Sequence, residues 1–390
     1  MKKLSISMIV FIFYIFPQMI FADNTESASP YLTLVAGPYL QHFTQTSITI
    51  MWETNLPSSS IVEFGESTPL SQRVELNDMA TIHEVHLTGL KPQHNYFYRV
   101  ISRNNSGDDV VASDIFTFQT AVREESAFAF TVVGDNRTYP DRFKKISEKM
   151  WAERPNFVLH VGDVVTDGRE KEQWLTEFLW PAQELMRRVP MYVAIGNHER
   201  NAHWFYDYLS YPQPENYYSF KFGNAEFFII DSNEDFTLES KQVKWLENAL
   251  KSSKAKWKFV AHHQPPYSSD ENDYGDTYFE KSELGDLNIR QLVPLYEKYH
   301  VDIVWVGHIH SYERTWPVKG NKIDEKNGVI YIQTGGGGAP LENFAPTRSW
   351  FTAKVLSNWQ YCLVIIHDGT LQMMAYDIDG KLYDYLELKK

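Results

Sequence analysis

Five times between residues 127 and 307 the chain drives an apolar, strand-like run into Gly, His or Asn and then presents a polar side chain: AFAFTVVGD, NFVLHVGD, PMYVAIGN, KWKFVAHH and DIVWVGH. Between them stand DRFKKISEKMWAE, KEQWLTEFLWPAQELM, ESKQVKWLENALKSS and NIRQLVPLYEKYH, with apolar residues at helical spacing. Strands apolar on both faces and linked by helices require a layered α/β domain with mixed sheets covered by helices. Sheets of this kind place ligands beyond the carboxyl ends of their strands, so the polar residues that close the runs form the candidate site. The tail segments GVIYIQTGGGG, QYCLVIIHDG and TLQMMAYDIDG return to strand patterning and are expected to complete a second sheet.

Upstream the pattern differs. From Tyr31 to about Thr120 short alternating strands (TSITIMWET, SSIVEFGE, HEVHLTGL, NYFYRVIS, SDIFTFQT) predict an antiparallel β-sandwich. Trp52 and the segment LTGLKPQHNYFYRV resemble a fibronectin type III module, with Leu90 and Tyr96 or Tyr98 in its core. His42, His83, His86 and His94 form no ligand pattern and are expected to be ordinary strand and loop residues. The polar stretch TAVREES, 120–126, reads as a linker, so 390 residues divide into a sandwich over 30–120 and an α/β domain over 126–390. Lys2 and Lys3, the apolar run Ile9–Phe21 and Ala22 have the layout of a secretory leader over 1–22, predicting export to the periplasm or exterior, with no membrane span after cleavage. Cys362 is the only cysteine, which excludes an internal disulfide; its apolar surroundings predict a buried strand residue.

The formal net charge is −13. Such a surface repels polyanions and argues against nucleic-acid polymers as partners; a small phosphorylated substrate would need local positive charge, which metal ions supply.

The strand ends read GDNR (134–137), GDVVTDG (162–168), GNHE (196–199), HHQPPY (262–267) and GHIHSYER (307–314). Each string alone is a weak signal, but five in order are not. Together they resemble the calcineurin-like metallophosphoesterase family, and GHIHSYER with the upstream sandwich resembles its purple acid phosphatase branch. The resemblance implies a four-layer catalytic domain, two mixed sheets flanked by helices, and a binuclear centre. In that centre Asp135 and His310 bind a first metal, Asn197, His263 and His308 a second, and Asp163 bridges them. It also implies hydrolysis of phosphate esters through a metal-bound hydroxide, with His198 contacting phosphate and helping the leaving group depart.

The chemistry of these residue types agrees. Two cations about 3.5–4 Å apart need a bridging carboxylate and suit in-line displacement at phosphorus. Carboxylate, amide oxygen and imidazole without thiolate accommodate iron, zinc or manganese. Residues two apart on an extended segment point to opposite sides, so His308 and His310 reach one centre only if the backbone turns just past the strand. His262, beside the ligand, is expected to be structural, and Glu199 to orient His198 or cap a helix. TGGGGAPL, 334–341, lacks a P-loop lysine and reads as a tight turn passing near the metals.

Two departures stand out. The purple branch has GDxxY with a colour-giving tyrosinate, whereas this chain has Thr166 at that place; many relatives have His two residues after the first Asp, whereas this chain has Arg137. Thr166, Asp167 and Asn136 are the nearest substitutes as ligands. Arg137, always charged, suits a phosphate oxygen bidentately, or else a salt bridge to a carboxylate such as Asp167; Asn136 is a weaker substrate contact. The insertions after GNHE and after the His263 string are expected to overhang the metals, with Trp204, Phe205, Tyr206 and Tyr208 available to stack on a substrate or to pack. Phosphodiesterase or nucleotide hydrolase activity fits the same motifs. A non-catalytic cell-surface binding protein with a degenerate second domain is the competing class.

Overall fold

The computed structural model describes residues 31–234, 236–237, 239–270 and 283–390; the segment expected to be a leader and the middle of the second insertion lie outside the described residues. The N-terminal region is built around two long bent strands, Ser47–Gly65 and Gln72–Thr88, whose mutual register shifts between Glu53 and Ser58. Ahead of the shift the first strand pairs with Leu34–Phe43, and beyond it with Asn95–Arg103, so one strand serves both halves of a β-sandwich. Trp52, Leu90, Tyr96 and Tyr98 are all buried in its core, as expected. His83 stacks on Trp52 and is held by Thr54 and Ser60, a structural role.

All five apolar runs are strands. Phe128–Val133, Phe157–His160 and Met191–Val193 lie parallel in one six-stranded sheet; Trp257–Ala261 and Ile303–Val306 lie parallel in a second, seven-stranded sheet. The tail divides between them: Ile330–Thr334 joins the second sheet, but Gln360–His367 pairs antiparallel with Phe128–Val133 and carries Thr370–Asp377 and Leu382–Lys389 onto the first. Both sheets are mixed. Alternation along each strand sorts the side chains. Phe130 and Phe157 meet Phe227, Phe259 and Trp305 of the facing sheet in an aromatic core, with Phe130 and Phe227 centroids 5.2 Å apart at 90°. The outward residues Phe228, Val260 and Val304 pack with Val243, Leu246, Leu292 and Tyr296 of the helical layer. Phe143 and Phe178 cover His160 on the opposite side. This is the four-layer order, helix, sheet, sheet, helix.

Two expected helices are interrupted. KEQWLTEFLWPAQELM breaks into Lys171–Gln173, a wide turn over Trp174–Leu179 and Gln183–Met186, because Pro181 has no amide to continue the ladder. NIRQLVPLYEKYH divides ahead of Pro294, into Leu287–Arg290 and Val293–Lys298. Helix Lys241–Ser252 starts at Ser240, whose hydroxyl accepts from the Val243 amide.

The sandwich is bolted to the α/β layers. Tyr39 donates to the Tyr208 carbonyl at 2.9 Å, Tyr98 to the Arg187 carbonyl at 2.7 Å, and buried Glu53 takes Lys171 and the Tyr208 hydroxyl. The first insertion is therefore committed to this interface: Trp204 and Tyr206 line a cleft with Met51 and Met79, and Phe205 and Tyr208 are fully buried. Trp204, Tyr206 and Tyr208 face the sandwich and Phe205 packs on Trp174, so these aromatics serve packing and not a substrate platform. Cys362 is buried in its strand.

Candidate metal centre

Because the two sheets face each other, the carboxyl ends of their parallel strands open on one place. The chain leaves three of these strands through the left-handed region at non-glycine ligand positions: Asp135 at φ 57°, Asp163 at φ 57° and His308 at φ 71°. Such backbone is costly for these residues and is retained where the surroundings over-determine it. Here the turns are locked across the gap: the Asp135 amide donates to the Gly162 carbonyl at 2.9 Å, and the His308 amide to both carboxylate oxygens of Asp135 at 3.1 and 3.0 Å. The turn at His308 is also what lets His308 and His310 share one site.

Asp135, Asp163 and His263 place one ligand atom each within 4.8 Å of one another, all buried. His263 donates Nδ1–H to the Val161 carbonyl at 2.8 Å, which aims Nε2 inward; Nε2 lies 3.2 Å from Asp163 Oδ1 and 3.9 Å from Asp135 Oδ1, with no hydrogen bond of its own. Nδ1 of His308 lies 3.1 Å from Oδ1 of Asn197. His310 donates Nδ1–H to the Pro340 carbonyl at 2.7 Å, leaving its Nε2 3.7 Å from Asp135 Oδ1. Of the six expected ligands, Asp135, Asp163 and His263 meet directly, His310 adjoins Asp135, and the pair Asn197 and His308 adjoins His263.

The electrostatics ask for a cation. Burial and then the charge of Asp163 push the Asp135 carboxyl well up; burial also opposes ionisation of Asp163, but His263 and His198 overcome it and hold its pKa low. Two facing carboxylates that cannot both ionise, beside an imidazole whose Nε2 has no hydrogen-bond partner, are the donor set a divalent ion satisfies. Asp135, Asp163 and His263 fit a metal on these grounds, and the contacting pair Asn197 and His308 adjoins them, with the His308 ring 5.2 Å from that of His263.

The other expected contacts fare differently. His198 donates Nδ1–H to the Thr166 carbonyl at 2.5 Å, which leaves Nε2 at the partly exposed face of the site, 3.8 Å from Asp163 Oδ2; burial lowers its pKa. Asn136 is not a substrate contact: it is fully buried, and its amide donates to the carbonyls of Val164 at 2.9 Å and Glu177 at 2.8 Å. Arg137 pairs with Asp163, Nε to Oδ2 at 3.4 Å, and not with Asp167, which is engaged by Arg169. His262 is buried beside Tyr296, and burial lowers its pKa to about 3, in keeping with a structural role.

Glu199 does not orient His198. Its buried carboxylate accepts the amides of Asp163 at 3.0 Å, Val164 at 2.7 Å and Gly196 at 2.5 Å, tying two strand ends together. The glycine tract runs behind the Asp135 turn, with Gly337 donating to the Gly134 carbonyl and Ala339 to the Asp135 carbonyl, both at 2.8 Å. A Cβ at Gly196 would stand 2.3 Å from Asp163 Oδ1 and 2.8 Å from Glu199 Oε2. Gly196→Ala is therefore expected to weaken metal binding about tenfold or more, the scale of disturbing the groups that orient ligands; metal titration of the variant checks it, and unchanged affinity would contradict the packing argument.

Comparison with known proteins agrees with the two-part fold. The family model for calcineurin-like phosphoesterases covers residues 111–312, and that for the purple acid phosphatase N-terminal domain covers 38–120. The chain belongs to the calcineurin-like phosphoesterase family. Within it the chain sits on the purple acid phosphatase branch: "Acid phosphatase type 7" of Danio rerio is 25% identical over 95% of this chain and 94% of its own length. "Probable inactive purple acid phosphatase 1" of Arabidopsis thaliana is 28% identical over 81% of this chain, but the match spans only 57% of that relative's length. The solved purple acid phosphatase PPD1 of Lupinus luteus superposes with a TM-score of 0.79 at 21% identity, over 92% of this chain and 74% of its own, a likeness of fold. Membership implies divalent metal ions. Among the described residues no helix is long and apolar enough to cross a membrane.

Proposed function

We propose that the protein is an exported acid-phosphatase-type hydrolase of small phosphate esters, working at the junction of the two sheets. The observation that carries the reading is the buried pair Asp135 and Asp163 facing the orphaned Nε2 of His263. Asp163, Asn197, His263 and His308 would hold the metal, with Asp135 and His310 alongside. Bound there, iron, zinc or manganese would polarise the phosphoryl group and make water a nucleophile near neutral pH. The protein's part is orientation and charge. The Thr166 carbonyl holds His198 Nδ1–H and turns Nε2 toward the substrate side, where the ring, once protonated at Nε2, gives that proton to the leaving oxygen. Arg137, 15% exposed at its side chain, presents a permanent positive charge to phosphate. The net charge of −13 confines the substrate to small esters that reach this local positive site.

The test is hydrolysis of an aryl phosphate monoester and the matching diester by metal-reconstituted protein. Monoester turnover is expected to exceed diester turnover, and no hydrolysis of either would sink the reading. Faster diester turnover would establish the phosphodiesterase alternative.

Among the described residues the tyrosinate position of the purple branch is filled by Thr166. At the tyrosinate position Thr166 gives its hydroxyl to Glu177 at 3.0 Å and its amide to the same carboxylate at 2.7 Å. The iron-loaded protein is expected to lack a visible tyrosinate-to-iron band; a strong one would show that another tyrosine reaches the metal.

A further inference from the structure

The first-metal side of the site is already occupied by a protein cation. Nη2 of Arg137 lies 3.2 Å from Nε2 of His310. Since His310 commits Nδ1–H to the Pro340 carbonyl, Nε2 carries the lone pair, and the guanidinium takes it. Nε of the same arginine lies 3.4 Å from Oδ2 of Asp163, the oxygen turned away from His263. Two of the three ligands expected for a first metal therefore already answer to a permanent charge.

Among the described residues the nearest polar groups are largely committed: Thr166 is bound through hydroxyl and amide to Glu177, Asp167 is paired with Arg169, Glu342 accepts the His310 amide, and the Asn136 NH₂ donates to Val164 and Glu177, which leaves its buried Oδ1 without a partner. A divalent ion entering this side would meet a guanidinium that cannot deprotonate, inside a buried site where repulsion is poorly screened. The residues of the second side fit a metal; those of the first side, with Arg137 among them, do not.

We propose that this chain carries one metal ion, held on the side of Asp163, Asn197, His263 and His308, and that the Arg137 guanidinium stands in the first metal's place as the second positive charge beside the phosphate. The inference rests on the phosphoesterase reading and deepens it. Asp135 then borders the single site, 3.9 Å from His263 Nε2, and its carboxylate also holds the His308 amide and so the turn that presents His308. A guanidinium suits this post because it offers a planar fork to phosphate oxygens without needing ligands of its own.

The experiment counts metal. The full chain is stripped with chelator, reloaded with excess Zn²⁺ or Mn²⁺, desalted and analysed for metal per chain by mass spectrometry. One equivalent is expected for the wild type, and a doubling for Arg137→His, which supplies an imidazole two residues after Asp135. Two equivalents in the wild type overturn the proposal and leave the phosphoesterase reading intact. A folded Arg137→His and a folded Arg137→Ala that both stay at one equivalent overturn the role given to Arg137. A wild type that binds no metal removes the phosphoesterase reading along with it.

Discussion

Asp163→Asn is expected to lose activity by on the order of 10³-fold, the upper range for removing one preorganised charge-stabilising group, while the protein stays folded. The carboxylate serves both sides of the site: Oδ1 accepts the His198 amide at 3.0 Å and faces His263 Nε2, and Oδ2 faces Arg137. An asparagine of the same shape can keep only one of these relations. If its oxygen accepts from His198, its NH₂ points at the guanidinium, donor against donor; if reversed, NH₂ meets the His198 amide and His263. Either way the negative charge that draws a cation is gone. Without metal the variant relieves the crowding with Asp135, so its melting temperature is expected to match or exceed that of the metal-free wild type. With metal the order reverses, because the wild type gains the stabilisation of binding, about 2.7 kcal/mol at a hundredfold excess over Kd, and the variant does not. Melting scans with and without metal, beside the ester assay, check both halves. Retention of more than a tenth of wild-type activity would remove Asp163 from the centre of the mechanism.

How far the sequence announced this follows from what each pattern encodes. The five apolar runs were legible as strands because both faces are buried, and their terminal Asp, Asn and His residues were legible as one site because parallel strands deliver their carboxyl ends to one edge. The sheet to which a strand belongs is not in its periodicity: Gln360–His367 reads the same whether it extends the second sheet or, as here, pairs with Phe128–Val133. The hairpin Tyr218–Phe222 and Ala225–Ile229 forms one edge of the second sheet, and its first strand begins within the end of the segment read as an insertion. Neighbours of the ligands were harder still. Asn136 follows Asp135 through a left-handed turn that sends consecutive side chains to unlike surroundings, so adjacency to a ligand said nothing about access to substrate. Arg137 was legible as an anomaly at a ligand position, but only the structure shows it between Asp163 and His310 in preference to Asp167. The first insertion drew attention for its aromatics, which serve the interface with the sandwich.

Glu199 is the clearest case of a role carried by a motif residue that the motif does not explain, and it makes the second large prediction. Its two oxygens take three main-chain amides, from Asp163, Val164 and Gly196, in a site with no water-facing side. Burial and then the neighbouring charge of Asp163 raise its pKa to about 7, so the fold holds this carboxylate against its own preference for the sake of those amides. Glu199→Gln keeps the volume but replaces one acceptor oxygen by a donor that faces amide N–H groups. At least one buried donor is left unsatisfied, a loss of about 1–3 kcal/mol, and the group that loses its acceptor belongs to the turn presenting Asp163 or to the one presenting Asn197. Stability should therefore fall even without metal, the opposite sign from Asp163→Asn, and metal affinity should fall about 10–100-fold with it, as expected when the support of a ligand is removed. The pair of variants separates scaffold from ligand. A ligand lost on an intact scaffold spares the metal-free melting temperature, whereas a scaffold lost beneath intact ligands lowers it. If Glu199→Gln melted and bound metal as the wild type does, the three short contacts would carry no weight, and the register between the Asp163 and Gly196 turns would have to be held by packing alone.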